Sequence, residues 1–213
     1  MAHLYPINLR LEGRKCLIIG GGAVAERKAA TLMEYEADIH IISPMVTDQI
    51  RAWAAERKVL WQPEVFQSHH LQGGFLVFIA TDDQVMNKTI AELCRQKGIL
   101  VNAVDDPPNC DFFVPSILRR GSLSVAVSTE GQSPLLAAKL RRELEKTIDL
   151  EYEEWVEILG VVRERLKQVE PDIEVRKKIL AAIVYSDLLD LLIQEGREKV
   201  EERIEQCISS LRE

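Results

Sequence analysis

Along the first half of the chain, apolar positions gather into short runs separated by amphipathic stretches, whereas from Asp149 onward they recur only at helical spacing. Cys16-Leu17-Ile18-Ile19 is the first run and reads as a strand. It leads through Gly20-Gly21-Gly22-Ala23-Val24-Ala25 into a helix from Glu26 to Glu36, with Ala29, Ala30, Leu32 and Met33 on its inner side. Asp38 to Ser43 reads as a second strand, Thr47 to Arg57 as a helix and Val59-Leu60-Trp61 as a third strand. After a loop from Gln62 to Gly74, the near-continuous run Phe75 to Ala80 has the pattern of a strand buried on both faces of a parallel sheet. A helix from Asn87 to Lys97 and a strand from Leu100 to Val104 follow. Strands alternating with helices in this way predict an α/β fold with a Rossmann-like parallel sheet.

The pattern changes after Pro115. Ser116 to Gly121 connects to one strand, Leu123 to Ser128, and then to the polar loop Thr129-Glu130-Gly131-Gln132-Ser133-Pro134. Ser133 suits a helix N-cap and Pro134 the first helical position, so a helix is expected to about Ile148, with Leu135, Leu136, Leu140 and Leu144 on one stripe. Beyond it, Trp155, Ile158, Leu159, Val162 and Leu166 form one helical run, and Ile179, Ile183, Leu188, Leu191 and Leu192 another, with Pro171 between them. The chain therefore divides into a Rossmann domain (1–114), a small α+β segment (115–148) and a helical C-terminal domain (149–213).

Composition narrows the class. With 213 residues, 46% of them hydrophobic and 29% charged, the chain has material for one main domain and an appendage. A net charge of −7 argues against nonspecific binding to nucleic acid or an anionic membrane. No apolar run reaches the length of a membrane span and the first residues lack a signal-peptide pattern, so a cytoplasmic location is expected. Cys16, Cys94, Cys110 and Cys207 form no C-x-x-C pair, and Cys16 and Cys94 read as small core residues. His69 and His70, adjacent in an expected loop, read as exposed side chains rather than metal ligands.

The glycine turn carries the first candidate chemistry. Gly20 suits the positive φ of a tight turn, Gly22 lets the backbone approach a pyrophosphate, and Ala25 lets the helix sit close to the strand. The first-turn N–H groups, from Ala23 and Val24 onward, would face the phosphates with the positive end of the helix dipole. A βαβ unit of this kind commonly ends its second strand in an acidic residue that holds the adenine ribose, but here Ser43-Pro44-Met45 stand there. Ribose recognition then falls to a hydroxyl or to backbone groups, adenine to the apolar pair, and the absence of a nearby cation before Arg51 favours NAD over NADP. Ser43-Pro44 also suits a cap for the next helix. Thr81-Asp82-Asp83 and Asp105-Asp106-Pro107-Pro108 arrive at the same carboxyl edge of the sheet. Asp105 has two readings, a turn residue before proline or a carboxylate that, shielded by apolar neighbours, takes a proton as a hydride leaves; residue physics alone favours the turn. Ser128, Thr129 and Ser133, with Arg119 and Arg120, are caps and solvated charges on one reading and an anion site for a carboxylated substrate on the other.

Cys16-Leu17-Ile18-Ile19-Gly20-Gly21-Gly22-Ala23-Val24-Ala25-Glu26-Arg27-Lys28, Ala80-Thr81-Asp82-Asp83, Val101-Asn102-Ala103-Val104-Asp105, Pro115-Ser116-Ile117 and Ser128-Thr129-x-Gly131-x-Ser133-Pro134, in this order, resemble the precorrin-2 dehydrogenases. These correspond to the amino-terminal part of siroheme synthase and include bifunctional members that insert iron into sirohydrochlorin. The resemblance covers roughly the first 150 residues. It implies a Rossmann domain, a central dimerisation segment and a helical domain in an interlocked homodimer. The implied reaction is NAD-dependent oxidation of precorrin-2 to sirohydrochlorin. It places the key aspartate on Asp105, nucleotide contacts on Ala23-Val24 and Pro44-Met45, and a phosphorylatable serine near Ser128-Thr129. Thr129 stands at that position and Glu130 replaces the usual glycine, a departure from the family's phosphorylation pattern. Iron insertion, with ferrous iron as substrate and Asp105 as base and metal ligand, is the weaker inheritance, because all four histidines lie at or before position 70.

The competing class is an NAD-sensing Rossmann module without catalysis, which ordinarily keeps the acidic residue after the second strand and has no use for the Ser128–Pro134 loop. A redox-responsive repressor would need a basic recognition helix. A short-chain dehydrogenase would need Tyr-x-x-x-Lys, and none of Tyr5, Tyr35, Tyr152 and Tyr185 has Lys four residues later.

Overall fold

Lys15–Ile19 forms strand β1, whose residues Cys16 to Ile19 are buried because neighbours flank it on both edges and layers cover both faces. A computed structural model of the chain describes residues 3–210. Contacts divide it into two units, one ending at Val114 and the other beginning at Pro115.

In the first unit β2 (Asp38–Ile42), β3 (Leu60–Gln62), β4 (Leu76–Ile79) and β5 (Leu100–Ala103) join β1 in the all-parallel order β3-β2-β1-β4-β5. Helices α1 (Ala23–Met33) and α2 (Asp48–Ala55) lie on one face, α3 (Gln84–Gln96) on the other. Period-two alternation assigns the layers: Cys16 and Ile18 pack with Ala25, Ala29 and Ile50, while Leu17 and Ile19 pack with Ile90, Ala91 and Cys94. At about 1.5–3 kcal/mol per fully buried aliphatic side chain, these two layers are the main stabilising term of the unit. Over β4 and β5 the first face is closed by the chain following β5. Phe112 meets Phe78 edge-on at 5.5 Å between centroids, and its carbonyl accepts the Asn102 side-chain amide at 2.9 Å.

The expected elements are present, with shifted ends. α1 begins at Ala23, directly on the glycine turn, rather than at Glu26. α3 begins at Gln84 because Asp83 caps it, its carboxylate accepting the Met86 N–H at 2.9 Å. The expected loop after β3 contains a short 3-10 turn, Ser68–Leu71, and here the histidine reading is corrected. His69 is exposed as expected, but His70 is buried, because the turn brings its ring to 6.0 Å from that of Phe66 and, tilted at 45°, to 4.1 Å from that of His69.

The second unit opens on a hairpin, β6 (Ser116–Arg120) and β7 (Leu123–Val127), where a single strand was expected. Gly121, at φ +52°, makes the turn; a Cβ there would also lie 2.8 Å from Cγ of Glu153. The Arg119-Arg120 pair hid β6 from the apolar pattern. Arg120 is in fact structural: its Nε donates to the carbonyls of Ile148 and Asp149 at 3.1 and 3.0 Å. After β7 come α4 (Pro134–Leu144), α5 (Glu151–Val169), α6 (Ile173–Val184), α7 (Leu188–Glu195) and α8 (Arg197–Ser210). α5 presents Trp155, Ile158, Val162 and Leu166 to Ile179, Ile183, Leu188, Leu192, Val200 and Ile204, and Glu151, Glu153 and Glu154 in its first turn complement its dipole. The leucine stripe of α4 is not a core face within this chain: Ala137 is buried, whereas Leu135 is 83% exposed. Among the described residues no helix is long and apolar enough to cross a membrane.

Candidate functional site

The strand order reverses between β1 and β4, and there the loops leaving the carboxyl ends of the two strands diverge to form the crevice where open α/β sheets hold ligands. The edge is laced by backbone bonds. Gly20 N–H reaches Ile42 O, Ala80 N–H reaches Ile19 O and Val104 N–H reaches Ile79 O, all within 3.0 Å. The turn after β1, Thr81 after β4 and Asp105 after β5 thus stand side by side along one edge.

The three glycines of the turn have three separate reasons. Gly20 sits at φ +117°, and a Cβ on it would fall 2.1 Å from the Ala80 carbonyl oxygen, so only glycine lets the turn touch the end of β4. Gly21, given no role from the sequence, is equally constrained: a Cβ would lie 2.0 Å from the Met45 carbonyl oxygen and 2.8 Å from Ser43 Oγ. Gly22 is different, because a Cβ there would meet nothing within 4 Å. Gly22 is also the N-cap of α1, and no side chain caps that helix, whereas Thr47 and Asp83 cap α2 and α3. The N–H groups of the first turn, Ala23 and Val24 among them, therefore end at open space with the positive end of the helix dipole behind them. That is the geometry a pyrophosphate fits.

At the end of β2 the capping expectation is corrected. Thr47, not Ser43, caps α2, its hydroxyl accepting the Ile50 N–H at 3.3 Å. Ser43 donates its hydroxyl proton to the Met45 carbonyl at 2.6 Å, and its own carbonyl accepts Trp61 Nε1–H at 2.9 Å. These bonds hold Ser43-Pro44-Met45 as a tight loop in which Met45 is 80% exposed, an apolar surface beside the crevice. Thr81 is held by a residue that the sequence reading named only as a helix start. Its hydroxyl donates to Asn87 Oδ1 at 2.5 Å while Asn87 Nδ2 donates to the Thr81 carbonyl at 3.0 Å, so buried Asn87 pins the loop after β4. A polar residue at an inward position of a helix was the signal that could have found it.

Asp105 follows β5 at φ +60°, a left-handed conformation that only asparagine, aspartate and glycine adopt readily. Its side chain is exposed, so the expected shielding by apolar neighbours is absent within its own unit. Beneath it, Cys110 donates its thiol proton to the carbonyls of Ala103 and Asp106 at 3.1 and 3.4 Å, and burial pushes that thiol's pKa up. No group of three metal-ligating side chains forms around Asp105 among the described residues. Such a group forms only from Glu64, His69 and His70. There His70 Nδ1 accepts the Gln67 N–H at 2.9 Å, which leaves the proton on Nε2, 3.4 Å from the Glu64 carboxylate. The Nδ1 lone pair is occupied, so His70 is a brace for the Gln67 amide, while its buried Nε2 makes no hydrogen bond.

In the second unit Ser128, Thr129 and Ser133 share one loop. Ser128 Oγ accepts the Glu130 N–H at 3.1 Å, Thr129 Oγ1 the Ser133 N–H at 3.0 Å and Ser133 Oγ the Leu136 N–H at 3.3 Å. Each oxygen is used as an acceptor, and each hydroxyl proton remains to be donated. Glu130 sits at φ +53°, a conformation that glycine adopts far more readily. Arg119 is exposed on β6, and its carbonyl accepts a bond from Arg120.

Comparison with known proteins matches this geometry. A family model described as NAD(P)-binding covers residues 7–116, and one described as the central part of a sirohaem biosynthesis protein covers 120–147. The chain belongs to the siroheme synthase and precorrin-2 dehydrogenase family. It is 34% identical to the siroheme synthase of Nitrosococcus oceani over 95% of its own length and 43% of that protein's. To a siroheme synthase of Neisseria meningitidis serogroup C it is 36% identical over 76% of its length and 34% of the relative's. The chain thus spans less than half the length of these curated relatives. A solved structure titled SirC, precorrin-2 dehydrogenase, superposes with a TM-score of 0.79 at 26% identity, covering 95% of this chain and all of that one. The family's Rossmann-like sheet, small antiparallel sheet and helical C-terminal part are all present here.

Proposed function

We propose that the chain oxidises precorrin-2 to sirohydrochlorin with NAD, on the siroheme branch of tetrapyrrole synthesis. The observation that carries this is the uncapped start of α1 facing open space at Gly22, on the same sheet edge as Asp105, in a chain that matches a precorrin-2 dehydrogenase structure along nearly its whole length. NAD, when bound, supplies the hydride acceptor. The first turn of α1 binds the pyrophosphate through Ala23 and Val24. Pro44 and Met45 offer an apolar surface to adenine, while Ser43 shapes that loop through its bond to the Met45 carbonyl. Thr81, fixed by Asn87, borders the nicotinamide end. Asp105 sets its carboxylate at the edge and takes the proton that leaves the macrocycle as the hydride departs, so two electrons and two hydrogens are accounted for. Ser128, Thr129 and Ser133 donate hydroxyl hydrogen bonds to substrate carboxylates, with Arg119 as a long-range cation.

The exposed Leu135, Leu136 and Leu140 on α4 support a homodimer in which segment 115–148 is covered by a second copy. Iron insertion has no comparable support: among the described residues no ligand cluster forms around Asp105.

Purified protein mixed with NAD and precorrin-2 is expected to produce NADH and the sirohydrochlorin spectrum together. NAD binding with no turnover would instead favour the sensor reading. Asp105→Asn keeps a residue that tolerates φ +60° and should lower kcat by roughly 100-fold or more while leaving NAD affinity unchanged. Normal turnover by that variant would remove Asp105 from the mechanism.

A further inference from the structure

Lys28 lies on α1 between the buried Ala25 and Ala29 and reaches across the face of the sheet, its Nζ 5.0 Å from the centroid of the Phe78 ring. Phe78 is itself in the core, and Phe112 closes it from the side. Among the described residues no carboxylate pairs with this ammonium. The groups that act on it are the Phe78 ring, the neighbouring Arg27 and the thiol of Cys110. Burial pushes its pKa below the ordinary lysine value, Arg27 pushes the same way, and Cys110 opposes them. A half-buried cation without a counter-ion costs free energy that an incoming anion would recover.

The location says which anion. Long side chains on a helix point back toward its N-terminus, so Lys28 extends toward the carboxyl edge of the sheet. Cys110, whose field it feels, is bonded to Ala103 and Asp106, on either side of the candidate catalytic Asp105. The ammonium lies over Phe78 of β4, whose register partner on β5 is Asn102, whereas the cofactor's phosphates are served by the first turn of α1. Precorrin-2 is a polycarboxylate, so its side chains call for cations; Arg95, at the same end of β5, is already spent on Asp111 and the Pro108 carbonyl.

We propose that Lys28 is a substrate-binding cation whose ammonium pairs with a carboxylate side chain of the tetrapyrrole held at the β4–β5 end of the edge. This deepens the dehydrogenase reading and rests on it. Lys28→Met keeps an unbranched stem over Phe78 and deletes the charge; Lys28→Arg keeps the charge. In the methionine variant KM for precorrin-2 should rise about tenfold with KM for NAD and the thermal midpoint little changed, and the arginine variant should recover most of the loss. An unchanged KM for precorrin-2, or a rise confined to NAD, overturns the assignment, and Lys28→Gln supplies the same comparison if the methionine variant does not fold. Wild-type protein that fails to oxidise precorrin-2 would count against the dehydrogenase reading instead. In that event, spectroscopic titration of wild type and variants with sirohydrochlorin tests Lys28 by itself, and equal affinities sink it.

Discussion

Helices α1 and α4 each follow a strand and a glycine-containing turn, yet their first turns are finished in opposite ways. α1 starts on Gly22 with no side-chain cap and nothing in the space where a Cβ would point. α4 starts on Ser133, whose hydroxyl caps the Leu136 N–H, with Pro134 deleting a donor and Thr129 holding the Ser133 N–H. The sequence reading made the first an anion site and left the second open between an anion site and a plain cap. Only α1 leaves its amide donors for a ligand. α4 uses its own donors to fix a loop, and what it can offer a ligand is the remaining hydroxyl protons. A main-chain site of the first kind suits a cofactor shared by many proteins, while side-chain hydroxyls suit one particular substrate.

The sharpest break in this contrast is Gly20→Val. Its Cβ would overlap the Ala80 carbonyl in a backbone region valine avoids, so the first unit should lose about 3 kcal/mol or more, read as a collapse of its denaturant midpoint. Gly22→Val should behave oppositely. Its side chain enters open space at φ −82°, so stability should hold to within ~0.5 kcal/mol while NAD affinity falls at least about tenfold by calorimetry. Equal NAD binding by that variant would place the pyrophosphate elsewhere. At α4 the order reverses: Ser133→Ala removes a cap and should cost about 1 kcal/mol in unfolding free energy with NAD affinity untouched.

A smaller effect separates the two units by pH. Burial raises the Cys16 thiol from 9.0 to about 11 and the Cys94 thiol to about 12, one on each face of the sheet. A pKa raised on folding contributes stability that is complete below the unfolded value and is lost as pH climbs through the folded one. The unit containing α1 should therefore lose thermal stability progressively between pH 9 and 12. Cys94→Ala, though less stable throughout, should show a shallower decline over that window.

Much of the first unit was legible because its signals are local. A four-residue apolar run before three glycines permits a buried strand and a tight turn and little else, and Ser133-Pro134 announces a helix start through two residues that act on their own backbone. Strand β6 was missed because two arginines interrupt its apolar pattern, one of them serving as a clamp on carbonyls 28 and 29 residues away. The partners of Asn87 and Lys28 escaped the sequence for the same reason: Thr81 and Phe78 are brought to them by the packing of a helix on a sheet.

What the amino-acid order determined by itself was the run of strands and helices, the glycine turn, the missing acid after β2 and the motif series that marks the family. These are consequences of backbone sterics and of period in the apolar pattern, which act within a few residues. The tertiary structure alone decided that β4 and β5 add on the far side of β1 and so open the crevice, that Gly21 is as constrained as Gly20, and that His70 is a buried brace. It alone put Lys28 over the Phe78 ring of β4, since which groups meet across a core depends on strand order and layer, quantities set by the whole fold at once.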